Sequence, residues 1–206
     1  RLYDLTSLQR DANGRFGFSA KMTLSLAQAL YERHKVLTYP RTDSRALPED
    51  YISTVQDTLG EMKDSQYGIF ASKILESEWV KPSKRIFNNS KISDHFAIIP
   101  TSLQPKKLNE AEQKLYDLVT KRFLAIFYPA AEFLVTTRVT RVENEPFRTE
   151  GKVMVNPGWQ SVYGKEVRAN GTDKDSVLVA VKQNESVHAE EIEIVANQTR
   201  PPARFN

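Results

Sequence analysis

The chain has 206 residues, of which 40% are hydrophobic and 27% are charged, and its formal net charge is +3. That length suffices for one large domain or two small ones with a buried core. Because no apolar run approaches the roughly 18 residues that cross a bilayer, we expect a soluble globular protein. The chain contains no cysteine, which excludes a disulfide framework and thiolate metal sites.

Positive charge is concentrated near the start of the chain. Residues 1–45 contain eight Lys and Arg residues but only four Asp and Glu residues. Such a local excess favours a surface that neutralises phosphates and releases counterions. A solvated basic face is the alternative. The three histidines, at positions 34, 95 and 188, have no metal-ligand spacing.

Two helices are predicted in the first 60 residues. Ser19 suits the N-cap of a helix that runs to about His34. Pro48 suits the first turn of a second helix, and Gly60 suits its end. Apolar residues at helical spacing predict the buried faces of both helices. These are Met22, Leu26, Ala27 and Leu30 in the first helix and Ile52, Val55 and Leu59 in the second.

Two more helices are predicted before Pro129. The third is marked by apolar residues between positions 67 and 75, and the fourth starts at a capping-box pair formed by Asn109 and Glu112. The fourth helix has the longest apolar stripe, and we expect it to lie in the core. That stripe consists of Leu115, Leu118, Val119, Phe123 and Ile126.

After Pro129 the hydrophobic period changes from that of a helix to two, which predicts antiparallel strands. A turn at residues 143–145 separates the first two strands, and another turn is predicted at residues 156–158. The charged loop at residues 165–175 has the composition of a disordered segment. The predicted strands span residues 133–140, 147–155, 177–181 and 192–195. The fold class is therefore α+β, with a mainly helical part followed by an antiparallel β part.

Residues 37–44, Leu-Thr-Tyr-Pro-Arg-Thr-Asp-Ser, place the Tyr39 hydroxyl beside a fixed turn and the Arg41 guanidinium. A tyrosine can attack a phosphodiester covalently when nearby cations stabilise the charge that develops on the phosphoryl oxygens. Pro40 favours an extended backbone at Tyr39, so we expect the Tyr39 and Arg41 side chains to project to the same side. Taken alone, these eight residues also fit an ordinary strand-to-turn junction.

A second segment, residues 93–101 (Ser-Asp-His-Phe-Ala-Ile-Ile-Pro-Thr), supplies His95. Together with residues 3–10, 17–31 and 199–205, these motifs resemble type IA DNA topoisomerases, and within that family the bacterial topoisomerase III branch. The motifs occur in the family's order along essentially the whole chain, which makes the resemblance specific. Phe96 departs from the pattern, because the family has a second histidine at that position.

The resemblance implies that Tyr39, Arg41 and His95 are catalytic. Tyr39 would attack one DNA strand and remain linked to its 5′ phosphate, while Arg41 would contact that phosphate through its planar fork. His95 would lie near the tyrosine and the DNA backbone. A surface ion pair with Asp43 is the alternative for Arg41, and a structural histidine is the alternative for His95.

Five further residues are candidates for DNA binding. Thr42, Asp43 and Ser44 would shape the turn and hydrogen-bond Arg41 or a phosphate, with capping as the alternative for Asp43 and Ser44. Ser19 and Lys21, at a helix N-terminus, would bind a phosphate through backbone amides and the helix dipole. A simple N-cap is the better-supported interpretation of Ser19.

The resemblance also implies a domain organisation. Residues 1–128 would form a helical gate domain that carries the tyrosine, inserted into a β-rich hinge and arch domain. Residues 129–206 would form the returning part of that β domain and the start of the next domain. Arg1 is expected to lie inside a longer protein, so the fragment would have an unpaired sheet edge if preceding strands normally complete the sheet.

The implied cofactor is Mg²⁺, bound by an acidic cluster in a separate, preceding domain. No Asp-x-Asp-x-Glu pattern occurs in this chain, so no metal ligand is assigned here and the fragment is expected not to cleave DNA efficiently alone. That metal-binding domain is one expected partner, and single-stranded DNA is the other. The expected location is the bacterial cytoplasm, at the nucleoid and without membrane contact.

The expected activity is breakage of one strand through a 5′-phosphotyrosine, strand passage and religation, which relaxes or decatenates DNA. No ATP is implied, because the chain lacks a Gly-x-x-x-x-Gly-Lys loop. Tyrosine recombinases are a poor match, since none of the histidines is followed by arginine at the third position. The remaining alternative is a noncatalytic single-stranded nucleic-acid-binding module.

Overall fold

A computed structural model describes residues 1–164, 178, 181–188 and 196–201. Within these residues, five α-helices precede a two-stranded antiparallel sheet, which confirms the α+β class. The elements are α1 (Leu5–Phe16), α2 (Ala20–Glu32), α3 (Ile52–Glu61), α4 (Gly68–Glu76), α5 (Glu110–Ala125), β1 (Glu132–Val142) and β2 (Glu145–Asn156), with 3-10 helices at Asn89–Lys91 and Gly158–Tyr163.

Helix α5 lies at the centre of the helical part and packs against α1, α2 and α4. The predicted capping box at its start is confirmed. The Glu112 amide donates to Asn109 Oδ1 at 2.9 Å, and the Asn109 amide donates to Glu112 Oε2 at 3.0 Å. The predicted apolar stripe of α5 is buried in this core except for the half-buried Ile126, and its burial contributes hydrophobic free energy to the fold.

Helix α2 begins as predicted, because the Met22 amide donates to the Ser19 side chain at 3.1 Å. It ends at Glu32, before His34, and the chain then reverses at Lys35, whose φ is 59°. The buried face of α2 runs through Thr23, Ala27 and Leu30. Met22 lies one residue off that face and is 41% exposed, so its assignment to the buried stripe was wrong.

The predicted bounds of α3 were also inexact. Pro48 accepts a hydrogen bond from the Tyr51 amide at 3.1 Å in a turn that precedes the helix, and Gly60 lies inside its last turn. Helix α1 was not predicted individually. Its buried stripe consists only of Leu8 and Ala12, which is too narrow to stand out as amphipathic periodicity.

The predicted hairpin is confirmed and pairs from Val142 opposite Glu145 to Glu132 opposite Asn156. Its two loop residues, Glu143 and Asn144, have φ of 49° and 67°. Two successive positive φ values match the right-handed strand twist of a two-residue hairpin. Large apolar side chains remain exposed on both faces of the hairpin, namely Leu134, Val135, Val139, Val142, Phe147 and Val155.

The turn predicted at residues 156–158 returns the chain onto the start of β1. Asn156 Oδ1 accepts from the Gly158 amide at 3.0 Å, and the Trp159 amide donates to the Pro129 carbonyl at 3.0 Å. Gly158 has φ of 48°, and a Cβ there would lie 2.4 Å from the Ala130 carbonyl oxygen. Only glycine fits this close approach, which fixes the position of Trp159.

The remaining sequence predictions fall mainly beyond the described ranges. The loop at residues 165–175 and the strand at residues 192–195 lie outside the described residues, as does the strand at residues 177–181 except for positions 178 and 181. Among the residues that are described, no helix is long and apolar enough to span a membrane.

Candidate active site

The Tyr39 and His95 segments are joined by backbone pairing. The Thr38 amide donates to the Ile99 carbonyl at 3.0 Å, and the Thr101 amide donates to the Val36 carbonyl at 3.0 Å. The same 97–101 segment pairs on its other side, where the Ile98 amide donates to the Tyr3 carbonyl at 2.9 Å. Three of the sequence motifs therefore meet in one buried ladder.

The Thr38 side chain reinforces this pairing. Its hydroxyl donates to the Ala97 carbonyl at 3.0 Å and accepts from the Ile99 amide at 2.9 Å. A residue that bonds across the ladder through both backbone and side chain fixes the register of its neighbours. Tyr39 is therefore held opposite the residues that follow His95.

Tyr39 is half-buried between two rings. Its ring centroid lies 4.3 Å from that of His95, with the planes inclined at 47°, and 5.4 Å from that of Tyr31 in an edge-to-face arrangement. The Lys35 ammonium lies 5.8 Å from the centroid of the Tyr31 ring. Tyr39 and His95 are thus brought together as predicted.

Tyr31 was missed as a site residue. It lies in the last turn of α2, and the reversal at Lys35 brings its ring against Tyr39. Aromatic pairs at this distance restrict ring orientation and stabilise by roughly 0.5–1.5 kcal/mol. Tyr31 could have been considered from sequence, since it belongs to one of the recognised motifs. Hydrophobic periodicity, however, does not predict that it contacts Tyr39.

Arg41 has an exposed side chain at the centre of a three-residue turn, in which the Thr42 amide donates to the Pro40 carbonyl at 3.1 Å. This hydrogen bond bends the chain at Arg41, so the extended backbone from which the same-side projection of Tyr39 and Arg41 was expected does not continue through Arg41, and that projection stays a prediction. Among the described residues, no ion pair involves Arg41. Asp43 instead accepts from the Ser93 hydroxyl at 3.3 Å.

Thr42 and Ser44 are buried and hold the loop in place. The Thr42 hydroxyl donates to the His95 carbonyl at 2.8 Å and accepts from the Ser44 amide at 3.1 Å. The Ser44 hydroxyl donates to the Lys91 carbonyl at 2.8 Å. These bonds favour the turn-shaping interpretation of both residues, and they tie the Arg41 turn to the His95 backbone.

Ser19 and Lys21 lie at the opposite end of α2 from Tyr31. The Ser19 hydroxyl caps the helix, and the Lys21 side chain is exposed. Tyr31 follows Ser19 by twelve positions, which corresponds to a rise of about 18 Å along the helix. The structure therefore does not bring these two residues to Tyr39, and their DNA-binding role stays a prediction.

Phe96 packs its ring 4.9 Å from that of Tyr51 and is half-buried. The side chain that departs from the family pattern is therefore used for packing. A histidine at position 96 would make this contact with Tyr51 less favourably, because an imidazole is more polar than a phenyl ring.

The described residues offer no ligand set for the implied Mg²⁺. No group of three or more histidine, aspartate or glutamate side chains converges among them. Mg²⁺ requires several oxygen ligands in near-octahedral geometry. The residues present here do not fit that ion, and no chemical step at this site is derived through it.

A family model described as DNA topoisomerase matches residues 1–206. This chain belongs to the type IA DNA topoisomerase family. DNA topoisomerase 3 of Bacillus subtilis (strain 168) is 44% identical to it over 209 residues, which cover 100% of this chain and 29% of that protein. DNA topoisomerase 3 of Bacillus licheniformis is 44% identical over 208 residues, with coverage of 100% and 28%.

The fold also matches that of a solved relative. Full-length topoisomerase I from Thermotoga maritima superposes with a TM-score of 0.56 at 22% identity, covering 89% of this chain and 29% of that one. The chain thus spans less than a third of the length of the relatives that it matches. The resemblance deduced from the motifs is confirmed at the level of family and fold.

Proposed function

We propose that this chain is the tyrosine-bearing part of a longer type IA topoisomerase, in which Tyr39 breaks one DNA strand and rejoins it. Residues 1–128 form the gate and residues 129–206 belong to the hinge and arch. The 44% identity to DNA topoisomerase 3 over the whole chain supports this proposal. Relaxation or decatenation follows when another strand passes through the break.

The proposal rests on one observation above the others. The Tyr39 ring lies 4.3 Å from the His95 ring, and Arg41, two positions after Tyr39, is exposed and has no ion pair in the described part of the chain. The proposal assigns to Tyr39, Arg41 and His95 the roles of nucleophile, permanent cation and titratable group. That set is suited to an in-line displacement at phosphorus.

In the proposed step, Tyr39 Oη forms a bond to phosphorus and the bond from phosphorus to the 3′ oxygen breaks. The phenol loses its proton and the departing 3′ oxygen gains one, which leaves a 5′-phosphotyrosine and a free 3′ hydroxyl. Attack by that hydroxyl reverses the step. No ATP enters, because the phosphodiester energy is retained in the linkage to tyrosine.

Arg41 stabilises the phosphoryl oxygens in this proposal, and its planar guanidinium suits two of them at once. His95 contacts the phosphate as a cation or relays the phenolic proton. Tyr31 and the Thr42 bond to the His95 carbonyl position these groups. Asp43, exposed beside Arg41, limits the positive charge of the turn.

The proposal assigns the Mg²⁺ ligands to residues outside this chain. It places the complete enzyme in the bacterial cytoplasm. When bound, that ion would supply charge stabilisation to the phosphoryl group. The 206-residue chain alone is accordingly expected not to relax supercoiled plasmid in the presence of Mg²⁺.

The test uses the longer enzyme with Tyr39→Phe and, as a matched control, Tyr31→Phe. Each change removes one hydroxyl from the same aromatic cluster. We expect denaturant-trapped covalent DNA adducts to disappear in Tyr39→Phe and to persist in Tyr31→Phe, with DNA binding retained in both. An adduct that survives in Tyr39→Phe places the nucleophile elsewhere and favours a noncatalytic single-stranded nucleic-acid-binding role for this surface.

A further inference from the structure

A cavity of about 710 Å³ lies away from Tyr39, between α5 and the 3-10 helix at Gly158–Tyr163. Five separate segments of the chain contribute arginines to its wall, namely Arg1, Arg15, Arg45, Arg85 and Arg122. Trp159 and Tyr163 also line it. Among the described residues that form the wall, no carboxylate is present.

Two of these guanidiniums are neutralised by carboxylates outside the wall. Arg45 Nε lies 2.8 Å from Asp4 Oδ2, and Arg122 Nη2 lies 2.8 Å from Asp11 Oδ2. These pairs fix both side chains without cancelling the remaining charge of the cavity. Both cations are held in place by a further hydrogen bond, since Arg45 also donates to Asp4 Oδ1 at 3.3 Å and Arg122 also donates to the Tyr3 hydroxyl at 3.0 Å.

Arg15 and Arg85 are different, because in the described part of the chain neither one forms an ion pair. Both side chains are exposed, and Arg15 lies over the Tyr163 ring at 5.6 Å from its centroid. Arg1 likewise forms no ion pair among the described residues, so three unneutralised guanidiniums in a concave wall focus the field on the cavity. Such a site attracts an anion, and a planar guanidinium matches a phosphate best.

The aromatic residues add a second kind of contact. The Trp159 side chain is 43% exposed, and its ring centroid lies 5.9 Å from that of Tyr163 in an edge-to-face arrangement. A positively charged groove with an accessible aromatic face is the combination that binds single-stranded nucleic acids. The cavity volume lies in the range of pockets that hold molecules of nucleotide size.

We propose that this cavity binds one nucleotide of a single DNA strand, with its phosphate on Arg15 and Arg85 and its base stacked on Trp159. The choice of DNA as the source of the phosphate rests on the proposed function. Arg45 follows Arg41 by four residues, so their Cα atoms are at most about 14 Å apart. A strand that reaches the Tyr39 surface can therefore continue into the cavity.

The test measures fluorescence anisotropy of a labelled single-stranded oligonucleotide with the 206-residue chain across a salt series. The double variant Arg15→Ala/Arg85→Ala is compared with Lys106→Ala/Lys107→Ala, which removes the same charge from exposed side chains outside the cavity. We expect weaker binding and a log–log salt slope shallower by about 0.7 in the arginine variant, because the one phosphate contact shared by Arg15 and Arg85 is lost.

Trp159 provides an independent readout that does not depend on charge. Trp159→Ala should weaken oligonucleotide binding at least about fivefold, whereas Trp159→Phe should retain most of it by preserving a stacking face. Thermal unfolding of each variant checks that the chain remains folded. Equal affinity and equal salt slope in the arginine and lysine variants would overturn the proposal.

Inorganic tripolyphosphate, titrated by calorimetry, separates the possible sources of phosphate. Loss of tripolyphosphate binding in the arginine variant, with oligonucleotide binding equal to the lysine control, would overturn the assignment to DNA. Loss of both supports it. The anisotropy and calorimetry experiments measure noncovalent binding and are repeated in the Tyr39→Phe variant. Their outcome therefore does not depend on whether the covalent-adduct test of the proposed function fails.

Discussion

At the scale of single residues, Arg41 is a permanent charge two positions after Tyr39, the proposed nucleophile. Its side chain is exposed, and its turn is fixed by the Thr42 bond to the Pro40 carbonyl. In the complete enzyme, Arg41→Ala should reduce the rate of strand cleavage roughly 10²-fold at every pH, as loss of one transition-state donor does. Arg41→Lys should recover part of this loss, because charge remains without the planar fork.

Single-turnover cleavage of a labelled oligonucleotide measures both Arg41 variants. DNA affinity, measured in parallel, separates a binding defect from a defect in chemistry. Wild-type cleavage by Arg41→Ala would mean that the phosphate is stabilised by other groups.

His95 differs from Arg41 because an imidazole changes charge within the physiological pH range. Its ring contacts Tyr39, and its backbone carbonyl accepts from Thr42. His95→Ala should therefore change the shape of the pH profile of cleavage as well as its rate. Phe96→Ala is the matched control, since it removes a neighbouring ring that packs on Tyr51 without a titratable group.

Cleavage rates from about pH 5 to pH 9 provide the measurement for His95. A purely structural role predicts that both variants keep the wild-type pH dependence and differ only in stability. That outcome would remove His95 from the catalytic set.

At the scale of elements, Glu112 joins the end of α2 to the start of α5. It accepts from Arg33, its Oε2 lies 3.3 Å from His34 Nε2, and it is only 3% exposed. Burial alone would raise the pKa of this carboxyl, but the Asn109 amide and the charges of Arg33 and His34 lower it below its ordinary value. The charged form of Glu112 therefore stabilises the fold.

Glu112→Gln should lower the free energy of unfolding by roughly 1–3 kcal/mol at pH 7. Because the folded pKa is lowered, this contribution is complete above the unfolded pKa of about 4.3 and is lost as pH falls through the folded value. The difference between wild type and variant should shrink below about pH 4.3. Urea unfolding at several pH values measures it, with Glu110→Gln as an exposed control in the same helical turn.

Local sequence signals predicted where these helices begin better than they predicted how the helices pack. The capping box at Asn109 and the N-cap at Ser19 depend on residues within one turn, so both could be found from sequence. The contact between Arg33 and Glu112, which joins α2 to α5, depends on residues 79 positions apart. The exposure of Met22 depends on which face α2 presents to the core. Neither is specified by local periodicity.

At the scale of the whole molecule, the site is assembled by pairing between segments about 60 residues apart. The motifs pointed to Tyr39 and His95 because they identified the family, and the catalytic roles of these residues stay a prediction, while the contacts that build the site could not be read from the sequence. Tyr31 and the three-residue turn at Arg41 illustrate this limit. Both depend on chain reversals, at Lys35 and at Pro40, that no hydrophobic pattern encodes.

The chain as a whole should bind single-stranded DNA weakly and electrostatically, because its basic residues are concentrated in residues 1–45 and around the arginine-lined cavity. The logarithm of affinity should fall linearly with the logarithm of salt, with a slope of about −0.7 per phosphate contact. Single strands should bind more tightly than duplex, because exposed bases can stack on Tyr31, Trp159 or other accessible rings. Anisotropy with an oligonucleotide and its duplex measures both properties. Salt-independent binding, or a preference for duplex, would contradict the proposed surface that presents single phosphates to Tyr39, since such a surface needs an unpaired strand that can bend toward that residue.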